Sequence, residues 1–144
     1  MNASRNNETF TGHCLCGAVT YRCGPPVIPP CFCHCESCRR ASGSHVVAWA
    51  TVARATFCVV TGALRSHVSS PSVLRQFCEH CGATVTYSNE QWPDTIDITI
   101  ATLDTPDAMV PTEHIWMRDA LNWDRPNDGL PQSECFRQES APVS

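Results

Sequence analysis

Short apolar runs, many of them alternating with polar residues, recur from residue 8 to residue 117, and almost none is long enough for a helix. Residues 8–13 and 18–23 read as two strands joined through Cys14-Leu15-Cys16-Gly17, with Val19 and Tyr21 alternating against Thr20 and Arg22. Residues 24–30 (GPPVIPP) contain four prolines and can be neither a helix nor an interior strand. The runs at 46–52, 57–60, 64–68, 73–77 and 83–87 are separated by turn-forming breaks, a strand-rich pattern. The clearest strand is TIDITIATL (95–103), which sends Ile96, Ile98 and Ile100 to one face and Asp97 and Thr99 to the other. ESCRRAS (36–42) suggests one helical turn, ended by Gly43. From Thr105 the chain is rich in Pro and Asp, and only EHIWM (113–117) looks like a strand. The expectation is a mainly β protein with one domain over residues 8–125 and a mobile C-terminal extension over 126–144.

Composition agrees with a globular chain of modest core: 144 residues, 42% hydrophobic and 17% charged. No apolar run approaches the ~18 residues of a membrane span, and the first ten residues lack the basic-then-apolar order of an export signal. A soluble, cytoplasmic protein is expected. All ten positive side chains are Arg and the net charge is −4, so neither nucleic acid nor membrane is expected as a partner.

Cysteine changes the picture. Eleven cysteines without an export signal point to metal rather than disulfides, and seven fall into spaced motifs: Cys14-x-Cys16, Cys33-x-Cys35-x-x-Cys38 and Cys78-x-x-Cys81-Gly82. In an extended strand, residues i and i+2 face the same way, so a CxC presents two sulfurs side by side. In a CxxC followed by Gly, the chain turns back on itself with positive φ at the glycine, and both sulfurs converge. Cys14, Cys16, Cys78 and Cys81 thus make a closed four-thiolate zinc site with a structural role. Cys33, Cys35 and Cys38 supply three thiolates and leave a position open, the mark of a zinc that accepts an outside group. Three thiolates make the ion soft, which favours an incoming sulfur over hydroxide. Cys31, which shares strand parity with Cys33 and Cys35, is the rival fourth ligand, whereas His34 and His80 are placed to point away from the metal. Arg39 and Arg40 directly follow the open site and are candidates for a substrate carboxylate.

The order GHCLCGAV, CHCESCRRASG, FCEHCG, IATLD and PTEHIW resembles the glutathione-dependent formaldehyde-activating enzyme family, whose domain is shared with centromere protein V. The resemblance runs over residues 11–123. It implies a β-tent fold of coiled antiparallel sheets, with a structural zinc on Cys14, Cys16, Cys78 and Cys81. A catalytic zinc is implied on Cys33, Cys35 and Cys38, giving two Zn²⁺ per chain. The implied activity is addition of the glutathione thiol to formaldehyde, a carbon–sulfur lyase reaction in reverse. The alternative is a non-catalytic, zinc-stabilised binding module of the same fold. The expected partner is glutathione or a similar small thiol, with a homodimer left open.

Overall fold

The computed structural model describes residues 7–137, and its strands fall where the apolar runs lie. They are β1 (Phe10–His13), β2 (Thr20–Cys23), β3 (Cys31–Cys33), β4 (Val47–Ala53), β5 (Cys58–Thr61), β6 (Leu64–Ser70), β7 (Val73–Cys78), β8 (Thr84–Asn89), β9 (Thr95–Thr99) and β10 (Glu113–Ile115). Among the described residues there is one α-helix, α1 (Glu36–Ser42), capped by Cys35 at its start and by Gly43 at its end, whose φ of 71° closes it. The strands form a three-stranded sheet, β1-β2-β5, and a seven-stranded sheet, β10-β3-β4-β9-β8-β7-β6. Between these strands every pairing is antiparallel except β10 with β3. The protein is mainly β, and among the described residues no helix is long and apolar enough to cross a membrane.

Strand alternation gives the large sheet two unlike faces. Ile96 and Ile98 of β9 join Ala50, Val52 and Val85, and this face packs on Phe10, Tyr21 and Cys23 of the small sheet. Each fully buried Val or Ile contributes about 1.5–3 kcal/mol by leaving water. The opposite face carries a lateral row. Thr51 stands opposite Asp97, Asp97 opposite Tyr87, and Tyr87 opposite Arg75. This polar row, with Arg75 buried and Thr51, Asp97 and Tyr87 half-buried, lines the cavity described below.

Four details depart from the sequence reading. The Cys14–Cys16 segment is a turn rather than an extended strand: the N–H of Gly17 donates to the Cys14 carbonyl at 3.1 Å and Gly17 has φ 79°. The run at 95–103 leaves the sheet after Thr99, where Ile100–Thr102 winds into a 3-10 turn. EHIWM pairs only as far as Ile115, because Trp116 adopts a left-handed backbone with φ 59°. Beyond residue 126, the stretch expected to be mobile is docked along β10. His114 donates to Pro131, Ser133 to His114 and Trp116 to Cys135, all through backbone groups at 2.8–2.9 Å. Arg137 completes the docking with an ion pair to Glu113 at 3.0 Å. Residues 138–144 of the expected extension lie outside the described residues.

Gly62, at the β5–β6 turn, has φ 75°, and a Cβ there would strike the Ala18 carbonyl. Gly62→Ala should therefore lose about 2 kcal/mol or more from left-handed strain and the clash. Chemical denaturation with the midpoint unchanged would contradict this.

Candidate metal centres

The turn after β1 and the hairpin between β7 and β8 bring four sulfurs together. The Cys14 and Cys16 sulfurs are 3.6 Å apart and those of Cys16 and Cys78 3.8 Å, and with Cys81 all four lie within 4.8 Å of one another. Four sulfurs at ~2.3 Å from a zinc ion would sit at the corners of a tetrahedron with ~3.8 Å edges, so the cluster fits that ion. All eleven cysteines are free thiols. Gly82, with φ 76°, turns the hairpin so that its N–H meets the Cys78 carbonyl at 2.8 Å. The Val19 N–H donates to the Cys14 sulfur at 3.3 Å. Backbone N–H groups near Ala83 and Cys16 bring the Cys81 thiol down to about 6, which favours the ionised form a metal requires. Val19, Val59, Leu64 and Ala83 pack around the cluster.

The second group lies on the other face of the large sheet. Cys33 ends β3, Cys35 caps α1 and accepts the Cys38 N–H at 3.3 Å, and Cys38 sits in the first turn of the helix. Their sulfurs are also within 4.8 Å of one another. Packed thiols share their charge: hydrogen bonds from Cys33 and Cys35 hold Cys38 far below the usual thiol range, assisted by Arg75. Those same bonds push Cys33 far up. Arg75, only 7% exposed, directs Nη1 and Nη2 at the Cys38 sulfur at 3.7 and 3.8 Å. It also lies over the Tyr87 ring at 5.0 Å and donates to Ser69. Three sulfurs beside a fixed guanidinium suit a dication with one position left over. Cys31 is buried in β3 outside the group, its thiol pushed up to about 12 by burial. His34 turns away from the sulfurs; its Nε2 meets His114 Nδ1 at 2.9 Å, and His114 Nε2 meets Asp128 at 2.8 Å. The two buried imidazoles, tied at the surface to Asp128, brace the backbone between Cys33 and Cys35. His80 is exposed beside Glu79.

Cys33, Cys35 and Cys38 wall a cavity of about 1040 Å³ whose floor is the row Thr51, Asp97, Tyr87, Arg75. Arg39 and Arg40 do not line it. Arg40 faces solvent and pairs with Glu36 at 2.9 Å, four residues back on the same helix. The guanidinium groups at the cavity belong to Arg75, Arg118 and Arg137. The polar side of β9 was the only signal in the sequence for Asp97, and nothing in local spacing marked Arg118 or Arg137. Burial pushes the Asp97 carboxyl up to about 6, against the 2.6 Å hydrogen bond it accepts from Thr51 Oγ1. A carboxyl with a raised folded-state value stabilises the fold fully only below its unfolded value near ~4, and loses that contribution as pH climbs through about 6. In the metal-free chain, Asp97→Asn should thus be more stable than wild type by on the order of 2 kcal/mol at pH ~8, with the difference vanishing near pH ~4. Denaturation curves at the two pH values check this; a difference independent of pH would refute it.

Comparison with known proteins adds to the geometry. No curated protein matches the chain. The fold is similar to a crystal structure of a Rhodobacter sphaeroides protein solved as a Northeast Structural Genomics target, with a TM-score of 0.57 at 22% identity. That match covers 85% of this chain and 98% of the other, and at such identity it speaks for the fold alone. The glutathione-dependent formaldehyde-activating enzyme family matches residues 9–119, a span that holds both cysteine clusters and the row beneath the cavity, and the protein belongs to that family.

Proposed function

We propose that the protein is a zinc-dependent carbon–sulfur lyase or synthase that joins glutathione, or a similar thiol, to a small aldehyde such as formaldehyde. One observation carries this reading: among the described residues the sulfurs of Cys33, Cys35 and Cys38 converge at a cavity wall as a group of three, with Cys31 lining the same cavity but standing outside the group, while Cys14, Cys16, Cys78 and Cys81 converge as a separate group of four. Cys14, Cys16, Cys78 and Cys81 would hold a structural zinc, and Cys33, Cys35 and Cys38 a second one. The second ion, when bound, would supply a soft Lewis acid able to keep an outside thiol in its ionised form.

The chain's own groups account for the rest. A dication and three thiolates sum to a charge of −1; Arg75 at the Cys38 sulfur cancels it, so an anionic thiol approaches a neutral site. In the addition, sulfur bonds to the carbonyl carbon, the carbonyl π bond breaks, and the thiol proton ends on the former carbonyl oxygen. Asp97, on the cavity floor with its carboxyl near 6, can hold that proton and release it close to neutral pH. Arg118 at the cavity is suited to pair with a glutathione carboxylate.

Metal analysis should find two zinc ions per wild-type chain and one in Cys35→Ser, with calorimetry showing glutathione binding at least about tenfold weaker in the variant. Equal affinity for glutathione in both proteins would remove the proposed role of the site. Cys78→Ser, by opening the closed cluster, should lower the thermal midpoint much more than Cys35→Ser does. Similar losses in the two variants would contradict the division into a structural and a reactive site.

A further inference from the structure

The cavity is larger and more aromatic than a one-carbon electrophile needs. Its volume of about 1040 Å³ stands at the upper end for pockets that enclose drug-sized ligands. Trp49, Tyr87 and Trp116 line its inner part. At its mouth stand Trp92 and Phe136, with ring centroids 5.9 Å apart and planes within 10° of parallel. The two rings are 50% and 46% exposed, an apolar surface the free protein leaves in water.

Both rings are held in place by backbone that the fold has fixed. The Trp92 N–H donates to Asn89 at 2.9 Å, and the Trp92 carbonyl accepts from Thr95. Beside Phe136, the Cys135 carbonyl accepts from Trp116 at 2.8 Å, while Arg137 pairs with Glu113 at 3.0 Å and lies 5.6 Å from the Phe136 ring centroid. The lip is therefore a preorganised apolar surface, the kind that gains affinity when covered because little ordering cost remains. It adjoins the same cavity as the three sulfurs, the Arg75 guanidinium and the Asp97 carboxyl.

We infer that the adduct handled at the three-cysteine site carries an apolar, ring-sized substituent seated against Trp92 and Phe136, so that the favoured electrophile is an aldehyde with an aromatic or bulky apolar group. The inference rests on the thiol-addition reading above and narrows its substrate. The chemistry balances as before. Thiol and aldehyde give an α-hydroxy thioether: one C–S bond forms, the carbonyl π bond breaks, and the sulfur's proton passes to oxygen. Nothing else is consumed.

S-substituted glutathiones resemble that product and separate the two questions. Calorimetry on the zinc-loaded full chain would compare glutathione, S-methylglutathione and S-benzylglutathione. The benzyl compound should bind about tenfold or more tightly than the methyl one, as expected for covering a ring's apolar area. In Trp92→Ala/Phe136→Ala that preference should fall below about threefold. Glutathione binding with no benzyl preference overturns this inference and leaves the thiol-addition reading standing. Absence of glutathione binding removes glutathione as the thiol, and benzyl mercaptan against mercaptoethanol then tests the ring surface directly: equal affinities overturn the inference, and a benzyl preference lost in the double variant supports it. Sedimentation of both proteins covers another occupant. A wild-type dimer that dissociates in the double variant, without any benzyl preference, assigns the lip to a second copy of the chain and overturns the inference.

Discussion

Four sulfurs brought within 4.8 Å of one another set the terms for the rest of the molecule. They come from the turn after β1 and from the β7–β8 hairpin, so one cluster joins the small sheet to the large one across 62 residues of sequence. Thiols that close repel one another when ionised and desolvate one another when neutral, so the arrangement calls for a cation. With the hairpin pinned there, β8 starts back along the end of β7. That register puts Arg75 opposite Tyr87 on the side of the sheet away from the core.

The large sheet then performs two incompatible tasks on its two faces. One face, with Ile96, Ile98, Val52 and Val85, is ordinary core. The other keeps Asp97 and Arg75 out of bulk water without pairing them with each other, at a cost in stability that a closed apolar face would not incur. Tyr87 stands between them in the row, under the Arg75 guanidinium. Their separation is chemically useful: the cation stays at the Cys38 sulfur, and the carboxyl stays near its protonation point on the floor.

The parallel pairing of β10 with β3 builds the remaining wall. It places Trp116, in a left-handed conformation with φ 59°, beside the cysteine site and brings residues 131–137 along behind it. The strain at Trp116 is offset by backbone hydrogen bonds on both sides, to Cys135 and from Asp119. Through this docking, residues from the far end of the chain reach the mouth of the cavity.

Local spacing was enough to identify the two cysteine groups, because CxC, CxxC and CxxCG restrict where sulfurs can point within a few bonds. It also gave the β character, the single helix ended by Gly43, and the two faces of residues 95–99, where period-two alternation leaves little choice. The sequence could not tell that Arg39 and Arg40, adjacent to the three-cysteine group, would stay out of the cavity lining, because the direction of a side chain on a seven-residue helix depends on what the helix packs against. Nor could it show Arg75, Arg118, Arg137 and Phe136 at one cavity. Those residues meet through sheet register and through the docking of the chain's end on β10, contacts between positions tens of residues apart that only the closed tertiary structure decides.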